Sequence, residues 1–214
     1  MILFRPQQRI VFIGDERLSN TGPDGAVAQI LERIRARHPS HHLSVVNRCT
    51  PGLTVSSALE LTRPGSDTPG PIMLGPNMLE ADWVVIGLGM YDGLRGLSLT
   101  GFESDYRALV NRFSARIILC EPSALEPEQI ARLAAYRARV AKLADDLGLC
   151  FVPFQRALDR VLSCTIPSDW GNTFTLNRAG SALLAEEFLG AIGFEVFEDD
   201  DEPKSEPTEL EVNA

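Results

Sequence analysis

Carboxylates at the ends of predicted strands are the clearest candidates for chemistry in this chain. Asp15 and Glu16 follow an apolar run at residues 10–13, and Asp92 follows a second apolar run at residues 83–88. Four consecutive apolar residues that end in a turn are typical of a buried parallel strand. Ligands of open α/β sheets bind beyond the carboxyl ends of the strands. The residues from 14 to 20 are therefore expected to line a site.

Two kinds of carboxylate chemistry are compatible with these positions. Glu16 together with Asp92 or Asp169 would form an acid/base pair for hydrolysis if the separation were suitable. The same oxygens would suit a divalent cation, but no ligand spacing supports a metal site. Carboxylates at the rim of a sheet are more often simply solvated, and the sequence favours that interpretation for both kinds of site.

The other reactive side chains lack a partner that would activate them. Cys49, which follows Arg48, would be a nucleophile only as a thiolate, and no histidine is expected near it to activate it. A packing role is therefore favoured for Cys49. Ser19 and Thr50 are expected to form hydrogen bonds within turns.

The histidines lie in one short stretch of the chain, at positions 38, 41 and 42. This stretch joins the first predicted helix to the second predicted strand, so it should lie at the edge of the sheet opposite the site. Adjacent strand residues point to opposite faces, which argues against a metal pair at His41 and His42. No histidine is expected to act as a base in the site.

Apolar periodicity predicts alternating strands and helices along most of the chain. This alternation favours right-handed βαβ units, and hence an α/β fold, a three-layer α/β/α sandwich with a parallel five-stranded sheet. The predicted strands are residues 10–13, 41–46, 81–88, 116–120 and 149–153. The predicted helices are residues 26–37, 55–61, 103–113, 126–147, 154–162 and 178–189.

Four segments together resemble the signature blocks of the GDSL/SGNH hydrolase family, whose fold is flavodoxin-like. They occur in the family's order, each after the appropriate strand, and are Arg9–Asp15, Val46–Arg48 with Gly52, Val84–Asp92, and Thr175–Gly180. The resemblance spans roughly residues 9–193. It implies a serine nucleophile after Gly14 and Asp15, oxyanion donors at the second and third blocks, and an Asp-x-x-His pair before the last helix.

The chain departs from this pattern at most of the catalytic positions. Glu16 occupies the position of the nucleophile, and Tyr91 occupies the position of the oxyanion-donating Asn. Thr175 occupies the position of the His, and Asn172 occupies that of its Asp partner. Gly52 is the one position of this set where the chain has the family's residue, a glycine. A shift of register would instead make Asp169 the acid, still without a histidine. The neighbouring rim residues are Asp15, Arg48, Asp92 and Asp169.

These departures predict a catalytically inactive relative that keeps the pocket for binding. The carboxylate of Glu16 is expected to fill the oxyanion position, held by the adjacent backbone N–H groups or by Arg17, Arg48 or Arg95. The alternative is a hydrolase with a carboxylate-based mechanism centred on Glu16. An unknown small ligand or protein is the expected partner, with no cofactor and no metal.

Charge and composition limit the class of protein further. The chain of 214 residues has a net charge of −9, of which residues 198–214 carry −7 (eight acidic residues and Lys204), leaving −2 for the rest. A nearly neutral body argues against nucleic-acid binding. We expect one domain at residues 1–197, a disordered acidic tail at 198–214, no membrane segment, and a cytoplasmic protein with four reduced cysteines.

Overall fold

A computed structural model describes residues 4–40, 42–62 and 81–194. Its centre is a sheet of the strands β1 (Arg9–Gly14), β2 (Ser44–Asn47), β3 (Trp83–Gly87), β4 (Arg116–Cys120) and β5 (Cys150–Val152). All neighbouring strands are parallel, in the order β2-β1-β3-β4-β5. The five-stranded parallel sheet confirms the predicted fold class.

Helices cover both faces of the sheet because successive strand residues point in opposite directions. The helices are α1 (Glu16–Ser19), α2 (Ala26–Arg37), α3 (Val55–Leu61), α4 (Met90–Leu94), α5 (Leu99–Val110), α6 (Pro127–Leu147), α7 (Phe154–Leu162) and α8 (Arg178–Ala191). Ile10 and Phe12 pack with α2, α7 and α8 on one face, whereas Val11 and Ile13 pack with α3, α5 and α6 on the other.

The predicted and observed elements differ near the site and also elsewhere, since β2 begins at Ser44 rather than at residue 41 and α5 ends at Val110 rather than at residue 113. Periodicity did not indicate α1 or α4, since helices of four and five residues are too short to show a repeat. Helix α5 begins at Leu99 rather than at residue 103, because the side chain of Ser98 accepts a hydrogen bond from the N–H of Gly101 (3.4 Å) and caps the helix.

Some predictions fall outside the described residues. They are the irregular stretch at 63–76, His41, and the acidic tail with its boundary at residue 197. Within the three described ranges, no helix is long and apolar enough to span a bilayer.

Candidate functional site

The turn after β1 carries the first site residues. Asp15 caps α1, and its Oδ1 accepts a hydrogen bond from the backbone N–H of Arg17 (3.3 Å). The N–H of Asp15 itself donates to the carbonyl of Gly87 at the end of β3 (3.2 Å). These bonds hold Glu16, the first residue of α1, at the carboxyl ends of β1 and β3.

The loop between β2 and α3 is fastened to the same turn. Thr50 donates its backbone N–H to the carbonyl of Gly14 (2.8 Å), and the side chain of Asn47 donates to the carbonyl of Leu18 (2.9 Å). Gly52 has a φ of 77°, a left-handed conformation that favours glycine. The backbone N–H of Gly52 is thereby directed at Glu16.

The carboxylate of Glu16 accepts hydrogen bonds from two segments that are distant in sequence. Its Oε2 accepts hydrogen bonds from the N–H of Gly52 (3.2 Å) and from the phenol of Tyr91 (2.6 Å). Burial and the bond to Glu16 raise the pKa of Tyr91, so the phenol remains protonated and donates. Glu16 forms no ion pair with Arg17, Arg48 or Arg95, and its carboxylate does not bind the adjacent backbone N–H groups.

Tyr91 is in contact with both an aromatic ring and a cation. The ring of Phe174 stacks on it, with centroids 6.1 Å apart and an interplanar angle of 13°. The guanidinium of Arg95 lies 5.5 Å from the centroid of the Tyr91 ring. Phe174 was not a predicted site residue, because it lies 83 positions from Tyr91 and belongs to no signature pattern.

Arg17 is buried although its sequence position suggested a rim residue. It is 4 % exposed, its Nε donates to the carbonyl of Ser123 (3.3 Å) and its Nη2 to the carbonyl of Thr173 (3.1 Å). Nη1 has no hydrogen-bond partner among the described residues. Burial lowers the pKa of Arg17 to about 10, so the side chain stays charged. Arg17 therefore ties the segment around Thr173 to the site.

Two carboxyl groups are buried beside these residues. Burial raises the pKa of Asp15 to about 7 and that of Asp92 to about 6. Both carboxylate oxygens of Asp92 accept the backbone N–H of Val55, at 3.2 and 3.3 Å, at the start of α3. Asp92 is 1 % exposed, and its oxygens bind the first N–H group of α3, whose N-cap is Thr54, rather than Glu16.

The segment that matches the Asp-x-x-His block forms a tight turn. Asn172 Oδ1 accepts the N–H groups of Phe174 (3.0 Å) and Thr175 (2.8 Å), and Asn172 donates its own N–H to the carbonyl of Thr175 (2.9 Å). Both residues are exposed. Asp169 is also exposed and accepts the N–H of Ile166 (3.3 Å) in a short 3-10 helix at Pro167–Asp169. None of these three side chains forms a hydrogen bond with Glu16.

The remaining reactive side chains either contribute to packing and turns or lie away from Glu16. Cys49 packs near Gly14, and burial raises the pKa of its thiol, which is the opposite of what an activated thiol requires. Ser19 donates to the carbonyl of Glu16 (3.2 Å). His38 ends α2 against the ring of Phe194, and His42 precedes β2, whose first residue pairs with the first residue of β1. Both histidines therefore lie at the opposite edge of the sheet.

The arrangement presents hydrogen-bond donors and carboxyl groups, and no histidine of the described residues lies near Glu16. The described ranges contain no group of three or more metal-binding side chains. A hydroxyl nucleophile needs a base and a stabilised oxyanion, whereas here a carboxylate occupies the donors. Chemically, this site is suited to holding an anionic oxygen between Gly52 and Tyr91.

Comparison with solved structures shows the same fold in several hydrolases. A candidate GDSL-like lipase from Parabacteroides merdae ATCC 43184 aligns with a TM-score of 0.77 and 21 % identity, over 91 % of this chain and 99 % of the other. A catalytic mutant of Axe2, an acetylxylan esterase from Geobacillus stearothermophilus, aligns with a TM-score of 0.76 and 24 % identity, over 90 % of this chain and 97 % of the other. LAE5, an alpha/beta hydrolase from the metagenome of Lake Arreo, Spain, aligns with a TM-score of 0.73 and 24 % identity, over 89 % of this chain and 97 % of the other.

The catalytic mutants of Axe2 carry alanine in place of an aspartate, a serine or a histidine. No curated protein sequence matches this chain. A sequence model of the GDSL-like lipase/acylhydrolase family matches residues 12–183, which include the last three signature blocks and the end of the first, with Gly14, Asp15 and Glu16. The chain belongs to the GDSL-like lipase/acylhydrolase family.

Proposed function

We propose that this protein does not hydrolyse esters by the serine mechanism of its family and that it uses the retained pocket for binding. One observation carries the proposal: the carboxylate of Glu16 accepts the N–H of Gly52 and the O–H of Tyr91. These two residues stand at the positions of the family's oxyanion donors. A substrate carbonyl cannot reach the donors while Glu16 holds them.

The residue types at the other catalytic positions support the same conclusion. The catalytic mutants of Axe2 concern a serine, an aspartate and a histidine, and this chain has Glu16, Asn172 and Thr175 at the matching positions of the signature blocks. Loss of a single key triad residue costs on the order of 10⁶ in rate. Three such changes together remove the nucleophile, the base and the acid that orients the base.

A direct test is hydrolysis of short-chain aryl esters combined with labelling by a fluorophosphonate probe. The expected result is turnover no faster than that of the heat-denatured protein, and no label. An active serine esterase of the same fold serves as the positive control. A burst of acyl-enzyme or stable labelling would contradict the proposal.

The same assay distinguishes an inactive protein from a hydrolase that uses a carboxylate-based mechanism centred on Glu16. The Glu16→Gln variant keeps the shape of the side chain and removes its charge. If the wild-type protein hydrolysed a substrate without fluorophosphonate labelling and Glu16→Gln abolished that turnover, a carboxylate-based mechanism centred on Glu16 would replace the inactive assignment.

A further inference from the structure

The carboxylate of Glu16 occupies its site as a ligand would. Its two hydrogen-bond donors come from separate segments, the β2–α3 loop and α4, which lie 36 and 75 positions away in the chain. A cation adjoins them, because Arg95 Nη2 would lie 3.9 Å from a side chain added at Gly52. The backbone amide and the phenol donate to a carboxylate here, and the guanidinium of Arg95, which forms no ion pair with Glu16, adds a positive charge nearby.

The surrounding charges also favour an anion. The guanidinium of Arg17 is buried next to Glu16 and hydrogen-bonds two carbonyl oxygens, and its Nη1 has no partner among the described residues. Burial raises the pKa of Asp15 to about 7 and that of Asp92 to about 6. Asp15 is therefore only partly ionised near neutral pH, whereas Asp92 remains mostly ionised there.

We propose that this pocket is a binding site for small monocarboxylates, in which Glu16 is a tethered competitor for the ligand. The proposal rests on the proposed function, since it assigns a ligand class to a pocket that binds rather than hydrolyses. Glu16 is only partly buried, so its side chain can rotate toward solvent. A tethered group acts at a high effective concentration, and a free carboxylate must displace it to reach Gly52 and Tyr91.

Truncation of Glu16 provides the sharpest test. The Glu16→Ala substitution removes a methylene and a carboxylate, the same carbon and oxygen atoms that acetate contains. Acetate should therefore fit the space that is left, and its binding should shift the backbone amide resonance of Gly52. We would titrate the full chain with acetate and follow the backbone amide resonance of Gly52, with calorimetry as a second measurement.

Matched variants identify what controls binding. Glu16→Ala should bind acetate at least about tenfold more tightly than the wild type, because the tethered competitor is gone. Glu16→Gln should show no such gain, since its amide still fills the pocket. Tyr91→Phe in the Glu16→Ala background should lose most of the gain, because it removes the donor and keeps the ring that stacks on Phe174. Acetamide, which is neutral, should bind Glu16→Ala more weakly than acetate.

Each contrary result has a distinct meaning. If Glu16→Ala folds and its Gly52 amide does not respond to acetate, or if Glu16→Gln gains as much as Glu16→Ala, the carboxylate site is refuted. If Glu16→Ala does not fold, equal acetate binding by Glu16→Gln and the wild type would still support tethered occupancy, and tighter binding by Glu16→Gln would refute it. Ester hydrolysis by the wild type would refute the proposed function and leave this binding test unaffected.

Discussion

At the scale of single residues, a carboxylate replaces a hydroxyl at position 16 and changes what the neighbouring donors do. In the structure the N–H of Gly52 and the O–H of Tyr91 hold an oxygen of the protein itself. The adjacent Arg17 is turned inward to two carbonyl groups instead of toward Glu16. Two predictions follow from the polar side chains at this turn.

Restoring the family's nucleophile alone should not restore esterase activity. Glu16→Ser supplies a hydroxyl, but Asn172 and Thr175 provide no base and are engaged in their own turn. We expect no turnover of aryl esters above background and a free energy of unfolding that is unchanged or lower by about 1 kcal/mol, the usual cost of a hydrogen bond at a partly exposed site. Robust turnover in this variant would show that an unrecognised base exists, and would end the inactive assignment.

Asp15 should make the protein less stable as pH rises. Its pKa is raised from 3.8 to about 7 by burial, so between these values the folded state binds more protons than the unfolded state. Stability from this group is therefore lost as pH rises through that window. Asp15→Asn keeps the oxygen that caps α1 and has no charge to bury. The free energy gained by this variant over the wild type should be larger at pH 8 than at pH 5 by about 2 kcal/mol.

The measurement is urea denaturation at the two pH values, and Asp146→Asn is the control. Hydrogen bonds from Lys142 and Arg107 lower the pKa of the exposed Asp146, so its replacement should not stabilise the protein at pH 8. An Asp15→Asn gain that is the same at both pH values would contradict the assignment of a raised pKa to Asp15.

At the scale of elements, the segment before α8 is fitted closely to that helix. The N-cap Asn177 accepts the N–H of Gly180 (3.0 Å), and its own N–H donates to the carbonyl of Trp170 (2.9 Å). A side chain at Gly180 would begin 2.3 Å from that same carbonyl. Gly180 therefore allows the segment that carries Asn172, Phe174 and Thr175 to lie against the first turn of α8.

Gly180→Ala should consequently lower stability and displace this segment. We expect a loss of about 1–3 kcal/mol in the free energy of unfolding, as for other overpacked sites, together with altered amide signals of residues 171–177. Gly190→Ala in the same helix is the matched control, because nothing lies within 4 Å of the added carbon. It should be neutral or stabilising by up to about 1 kcal/mol. Equal effects of the two substitutions would refute the close-contact explanation.

At the scale of the whole molecule, the body and the acidic C-terminal residues are expected to be independent. Residues 198–214 carry −7 of the net charge of −9 and contain few apolar side chains, too few to bury a substantial surface. Deletion from Glu198 onward should leave the melting temperature within about 2 °C of the full chain, as is typical of changes away from a core. Differential scanning calorimetry would measure it, and a decrease of about 10 °C or more would show that these residues pack on the body.

Local patterns in the sequence determined the fold class, the family, and the approximate positions of the five described strands and of α2, α3, α5, α6, α7 and α8. The apolar run at residues 10–13, which ends in a turn, forms a buried strand, and helical periodicity marks residues 26–37 and 154–162 with the bounds that the structure has. The sequence also determined which residue types stand at the signature positions, and therefore that Glu16 replaces a serine.

The tertiary structure alone decided which groups meet at Glu16. Gly52 and Tyr91 lie 36 and 75 positions from it, and a family pattern states their order but not which one donates to which oxygen. The burial of Arg17 and the stacking of Phe174 on Tyr91 likewise follow from how loops pack over the ends of different strands. Hydrogen bonds require partners within about 3 Å of each other, and that precision arises only when distant segments have folded together.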